Sequence, residues 1–256
     1  MSRLAPDVVV ETDADRLARA VAEALVARLA AAQAVHGNAS VVLTGGGIGT
    51  AVLEHVAGLA EEPVRETVDW EHVDVWWGDE RFVPAADPLN NMGMAREIFL
   101  DRCAPAANIH PIPTSTADPA DPGRGATLYE QELKSFYGAD SLEPARPLFD
   151  LVLMGVGPDG HTASLFPDDA ALEETTRWAV GVPRANVEPF VPRVTLTLPT
   201  LASCREMLFE VAGADKRAIL TRLFAGENLP ANRARSAGET IWLVDRSALP
   251  ESFHGQ

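Results

Sequence analysis

Cysteine is scarce: the 256 residues hold only Cys103 and Cys204, far apart and outside any C-x-x-C spacing. That rules out a disulfide framework and reads as free buried thiols in a reducing cytoplasm. Basic residues are also few. Lys and Arg number 21 against 37 Asp and Glu, for a net charge of −16, with a pI near 4.7. A nucleic-acid partner is therefore not expected. No apolar run approaches the roughly 20 residues of a membrane span, so no membrane partner is expected either. The N-terminus lacks a basic stretch followed by an apolar one, so no secretory leader is expected. The 6 histidines form no ligand-spaced cluster, and no metal site is expected. There is no internal repeat, low-complexity tract or clear linker. With 46% hydrophobic and 23% charged residues, the chain reads as one domain over residues 1–256, with apolar content for a sizeable core.

Hydrophobic periodicity alternates along the chain. Val8–Val10 reads as a short strand, and Thr12 to Asp15 supplies helix-start residues. Leu17, Val21, Leu25 and Leu29 recur every fourth position, on one helical face ending near Gly37. Strands are expected at Ser40–Leu43, Val73–Trp77, Leu151–Met154, Trp178–Val182, Arg193–Leu198, Glu206–Val211 and Thr240–Val244. Helices are expected through Val52 to Val56, Leu128 to Tyr137 and Asp215 to Leu223, and a surface loop over residues 113–125. Strands alternating with helices predict an α/β, Rossmann-like fold with a largely parallel sheet covered on both faces.

Three strands run into unusual loops: Thr44-Gly45-Gly46-Gly47, Gly78-Asp79-Glu80-Arg81, and "GVGPDGHTASLFP" at residues 155–167. Ligands bind beyond the carboxyl ends of parallel strands, so neighbouring strands would bring all three to one crevice. The last loop contains G-x-G-x-x-G (Gly155, Gly157, Gly160). A dinucleotide site needs a long helix after the third glycine and an acid at a strand end about 20 residues on. Pro167 restricts any helix to one or two turns, and Glu173 and Glu174 precede the next strand. The same loop also carries Asp159-Gly160-His161. A neutral histidine can take a proton from water near pH 7, with Asp159 orienting the ring or raising its basicity. Against this stands a histidine that only packs the turn. Thr44 to Gly47 can turn backbone N–H groups toward an anion, though the Gly-Lys-Ser/Thr ending of a P-loop is missing. Arg81 can hold phosphate or an oxyanion through its planar fork, while Asn90 and Asn91 can reach sugar hydroxyls.

Taken in order, "LTGGG", "WWGDERFVP" with the following "NN", "GVGPDGHTASLFP", "PRVTLT" and "GADKRAIL" resemble the 6-phosphogluconolactonase family over nearly the whole chain. That resemblance implies a Rossmann-like fold shared with sugar-phosphate isomerases and deaminases. It implies hydrolysis of a sugar-phosphate lactone, 6-phospho-D-glucono-1,5-lactone, with no cofactor. It also implies His161 as general base, with Arg81 and Lys216 as active-site cations. On this reading Asp159 supports His161, and Thr44, Gly45, Gly46, Gly47, Asn91, Arg193 and Lys216 bind substrate or its phosphate. "NN" stands where many members carry Ser-Asn, so Asn91 takes the Asn role. The protein is expected to be cytoplasmic, a monomer or weak homo-oligomer.

Glucosamine-6-phosphate deaminases resemble the chain around Asp-Gly-His, but their motif continues Phe-Asn-Glu-Pro. Here Ser164-Leu165-Phe166-Pro167 places Phe166 in the acid's position, and a phenyl ring cannot transfer a proton. A non-catalytic sugar-phosphate sensor is the other alternative, yet no helix-turn-helix segment is evident. Ser164 as a nucleophile competes with water, without a G-x-S-x-G elbow.

Overall fold

The computed structural model describes residues 7–60, 68–104, 108–114, 121–251 and 253. The chain opens with β1 (Asp7–Glu11) and α1 (Ala14–His36), then β2 (Ala39–Leu43), α2 (Gly47–Ala60), β3 (Val73–Trp77) and β4 (Asp79–Arg81). The helical stretch α3 (Asn91–Ala95), a π turn (Arg96–Leu100) and α4 (Asp101–Cys103) follow. Next come α5 (Pro122–Tyr137), β5 (Phe149–Met154), β6 (Ala179–Val182), β7 (Arg193–Leu196) and α6 (Leu198–Ala202). The last elements are β8 (Cys204–Val211), α7 (Arg217–Phe224), α8 (Pro230–Arg233) and β9 (Glu239–Asp245).

Six strands form one parallel sheet in the order β1-β9-β8-β5-β2-β3. The expected face of α1 is buried at Leu17, Val21, Leu25 and Leu29. Asp13 starts that helix by accepting from the Arg16 N–H at 2.9 Å, and Gly37 closes it by donating to the Gln33 carbonyl at 2.8 Å. Arg28 of α1 reaches Glu206 of β8 at 3.0 Å, which fixes α1 to one face. The opposite face carries α7, whose Phe224 meets Trp242 edge-on, with Phe209 stacked on Trp242 at 4.0 Å. Helices on both faces leave the central strands buried throughout, which explains the near-continuous apolar runs of β2 and β5.

Two segments expected in the parallel sheet lie elsewhere. Trp178–Val182 and Arg193–Leu198 supply β6 and β7, which join β4 in an antiparallel three-stranded sheet, β4-β7-β6. Gly78 is the junction: its N–H donates to Leu43 of the large sheet at 3.1 Å, and its carbonyl accepts from Leu196 of the small one at 2.8 Å. The "GDER" segment is thus a strand in its own right, not only a loop. The loop expected over 113–125 is partly helix, since α5 starts at Pro122; residues 115–120 lie outside the described residues. Asp121 caps α5 by accepting from Gly123 at 2.9 Å, and proline suits the first helical position because its missing N–H is not needed there. Of the two thiols, Cys204 is buried but Cys103 is only half-buried, because α4 lies at the surface end of its run.

His110 had no part in the expectations and proves the centre of a polar cluster. Its ring stacks on Trp76 at 3.9 Å, with Nε2 3.0 Å from Asp74 and Nδ1 2.7 Å from Glu132. Burial disfavours the imidazolium, but the two carboxylate hydrogen bonds outweigh it and raise the pKa to about 9. The folded value exceeds the unfolded one of about 6.5. The stabilisation is therefore complete below about pH 6.5 and fades as pH rises through about 9. His110→Gln should cost on the order of 1–3 kcal/mol at pH 6 and much less at pH 9.5. Thermal melts of both proteins at the two pH values check this; a pH-independent difference would show that packing on Trp76 dominates.

Candidate active site

The order β8-β5-β2-β3 puts four carboxyl-terminal loops side by side, and the chain reverses its winding direction between β5 and β2. Such a switch point opens a crevice. Here the crevice is a cleft of about 530 Å³, within the usual range for small-molecule sites. Thr44 to Gly47 from β2, Asp79, Arg81 and Asn91 from the small-sheet side, and Gly155 to Pro158 with His161 from β5 all line it. The loop after β8 adds Lys216, and β7 adds Arg193. The structure therefore brings together the expected groups of these loops, Asp159 through its contact with His161, but leaves Asn90 and Ser164 out of the cleft.

His161 sits in a tight turn in which the Gly157 N–H donates to the His161 carbonyl at 2.8 Å. Its Nδ1 lies 2.5 Å from Asp159 Oδ1, and the same carboxylate accepts the His161 backbone N–H at 3.0 Å. Burial alone would raise the Asp159 pKa, but the hydrogen bonds and charge of His161 bring it below its usual range. A carboxylate only accepts, so Nδ1 carries the proton and Nε2 keeps the basic lone pair. Nε2 has no hydrogen-bond partner among the described residues. Only glycine fits at 157: a Cβ there would lie 1.9 Å from His161 Cε1. No helix follows Gly160; the chain continues in turns through Pro167. The short helix allowed there is absent, and with it the pyrophosphate seat of a dinucleotide site.

Arg81 and Arg193 are direct cross-strand partners on β4 and β7. Like charges opposite each other on a sheet are unfavourable, and each guanidinium has a buried Nε without a partner. Burial, with the neighbouring Arg81 charge, lowers the Arg193 pKa despite Asp79 and Glu80. An anion beside them would offset the like-charge repulsion. Arg81 Nη1 donates to the Asn91 side-chain oxygen and to the Leu89 carbonyl, and Arg193 donates to the Pro189 carbonyl at 3.0 Å. Lys216 Nζ donates to the Val156 carbonyl at 2.9 Å, leaving two donors for a ligand.

The acids of "GDER" hold the frame. Glu80 accepts from the backbone N–H groups of Arg81, Asn91 and Met92 at 2.8 to 2.9 Å. Burial raises its pKa to about 7 in spite of those bonds. Asp79 accepts from Ser164 Oγ at 2.5 Å. Ser164 is fully buried and lies behind the cleft wall, which removes it as a nucleophile candidate. Asn90 does not face a sugar; it caps α3 by accepting from Gly93 at 2.8 Å. Asn91 packs so closely on Gly45 that a Cβ there would lie 2.1 Å from Asn91 Oδ1. That contact ties the Thr44–Gly47 loop to Arg81. The residue missed from the sequence is Glu210, a buried acid lining the same cleft. An acid inside an apolar strand was its only signal.

A family model described as glucosamine-6-phosphate isomerases/6-phosphogluconolactonase matches residues 12–242. A 6-phosphogluconolactonase of Streptomyces coelicolor is 38% identical, over 97% of this chain and 97% of that protein. One from Synechocystis is 37% identical, over 96% and 98%. The solved structure of 6-phosphogluconolactonase from Trypanosoma cruzi superposes with a TM-score of 0.82 at 27% identity, covering 97% of each chain. No helix among the described residues is long and apolar enough to cross a membrane. A match this long, carried by relatives this similar and sharing the crevice-forming sheet, means that the chain belongs to the glucosamine-6-phosphate isomerase/6-phosphogluconolactonase family.

Proposed function

We propose that this protein is a 6-phosphogluconolactonase. It hydrolyses 6-phospho-D-glucono-1,5-lactone to 6-phospho-D-gluconate, the second step of the oxidative pentose phosphate pathway. The observation that carries the reading is the pairing of His161 Nδ1 with Asp159 at 2.5 Å, with Nε2 left unpartnered at a cleft rimmed by Arg81, Arg193 and Lys216. Nε2 takes a proton from water as the water oxygen bonds to the lactone carbonyl carbon. Arg81 and nearby backbone N–H groups stabilise the oxyanion. The bond from that carbon to the ring oxygen then breaks, and the protonated Nε2 returns its proton to the departing oxygen. The phosphate rests on the Thr44–Gly47 loop, the first turn of α2 and Lys216, with Arg193 beside it. Asn91 acts by orienting Arg81. With this reading we propose one domain, a cytoplasmic setting, no cofactor, and a monomer or weak homo-oligomer.

The competing reading is glucosamine-6-phosphate deamination. Phe166 disfavours it, since its ring lies 4.8 Å from that of His161, where a second proton carrier would be wanted. Purified protein should accelerate lactone opening above the spontaneous rate and release no ammonia from glucosamine 6-phosphate. The reverse pattern would replace the lactonase reading with the deaminase one.

A net charge of −16 repels an anionic sugar at long range, so phosphate recognition must come from local cations. Lys216→Ala should raise KM for the phosphorylated lactone by about tenfold, a loss of ~1.4 kcal/mol. KM for glucono-1,5-lactone should change far less. Equal effects on both substrates would show that Lys216 does not read the phosphate.

A further inference from the structure

Among the described residues, Glu210 is a buried acid at the cleft that the mechanism leaves unused and that has no hydrogen-bond partner. It is 1% exposed, lines the cleft, and neither carboxyl oxygen has a hydrogen-bond partner. It sits near the carboxyl end of β8, where Phe209 pairs with Met154, so Gly155 is the next residue on the neighbouring strand. Its Oε1 would lie 3.2 Å from a Cβ at Gly49; the missing side chain there makes room for the carboxyl under the first turn of α2. The leading N–H groups of that turn have no helical acceptor, and they do not bond Glu210.

We propose that Glu210 is a specificity-determining acid that binds in its protonated form, donating its O–H to a phosphate oxygen held at the Thr44–Gly47 loop and the start of α2. The proposal rests on the phosphate position given above. A carboxylate there would carry unpaired buried charge and repel an anionic ligand. A carboxylic acid has neither fault, and it adds a donor to a cradle otherwise made of backbone N–H groups and Lys216. It also discriminates, because an unphosphorylated sugar leaves its donor without an acceptor.

The surroundings offer Glu210 no neutralising partner. The first turn of α2 carries no charged residue. On the α1 side Arg28 is taken by Glu206, and the β9 residue opposite Glu210 is Leu243. Beyond Gly155, Asp159 is paired with His161. Across the cleft stand Asp79, Arg81 and Arg193, with Glu188 at the rim. Asp215 and Lys216 follow on the β8 loop, 4.0 Å from each other. Burial by itself pushes the Glu210 pKa up to about 8. The acid form is thus present at neutral pH and is lost as pH rises through about 8.

The test is isothermal titration calorimetry of the full chain with inorganic phosphate and with 6-phosphogluconate, from pH 7 to pH 9, in buffers of different ionisation enthalpy. For the wild type, Kd should rise about tenfold over that range, with close to one proton taken up per ligand at pH 9. Glu210→Gln keeps an N–H donor and cannot titrate, so its Kd should stay nearly flat and that uptake should vanish. Glu210→Leu, which suits an apolar site, should bind about tenfold more weakly at pH 7 and also be flat. If Glu210→Gln keeps the wild-type rise and proton uptake, or if Glu210→Leu binds as tightly as the wild type at pH 7, the proposal is overturned. Lactone turnover does not enter this readout. A protein that binds with the Glu210-dependent uptake but turns over no lactone would contradict only the lactonase reading, while turnover without that uptake would contradict only the role of Glu210.

Discussion

His161→Ala is expected to lower kcat for the phosphorylated lactone by a hundredfold or more, the usual scale for losing a positioned acid–base group. KM should change little, because in the proposed mechanism the ring acts on water and on the ring oxygen, away from the phosphate. The ring is mostly enclosed, packed on Gly157 and tilted against Phe166, so a destabilisation of about 1 kcal/mol should accompany the mutation. Gly157→Ala provides an independent route to the same loss. Its Cβ would occupy the space of the imidazole, 1.9 Å from Cε1, and must displace Nε2 while removing no titratable group. Steady-state rates with the spontaneous opening subtracted measure both. A near-normal kcat in His161→Ala would remove it from the chemistry; a near-normal kcat in Gly157→Ala would show that ring position is not limiting.

Arg81→Lys should reduce kcat by about a hundredfold, the scale of one lost oxyanion donor. Lysine keeps the charge but not the planar guanidinium, whose Nη1 donates to Asn91 and to the Leu89 carbonyl. A group used mainly in the transition state lowers kcat rather than raising KM. Glu80→Gln should behave differently. One amide oxygen can still accept from Arg81 and Asn91, but the amide nitrogen would face the Met92 N–H that Glu80 now satisfies at 2.9 Å. That mismatch should cost about 1–3 kcal/mol of stability and only a modest part of kcat. Kinetics and melts on both variants decide the matter. Full kcat in Arg81→Lys with an inactive Glu80→Gln would reverse the roles and make Glu80 the proton-transfer candidate.

The parallel sheet was legible because its strands are buried on both faces and read as unbroken apolar runs between helices of clear 3.6-residue period. β6 and β7 look the same by that criterion, since burial alone does not say which sheet buries a strand. Their partner β4 is three residues long and charged, and no pattern in "GDER" announces a strand. The start of α5 was hidden because Pro122-Gly123 reads as a turn by composition. The convergence on one cleft was legible where chemistry and loop position coincide, at His161, Arg81 and the Thr44–Gly47 loop. Roles set by non-local contacts were not legible. Asn91 meets Gly45 and Arg81 across two elements, Ser164 is drawn off by Asp79 from another sheet, and Glu210 gains its character only from the helix that covers it.

The most direct test of the account is the opening of 6-phospho-D-glucono-1,5-lactone followed with catalytic amounts of purified protein at neutral pH. The account predicts a background-subtracted rate proportional to protein concentration and saturable in substrate, with many turnovers per molecule. A rate indistinguishable from buffer alone, with properly folded protein, would contradict it.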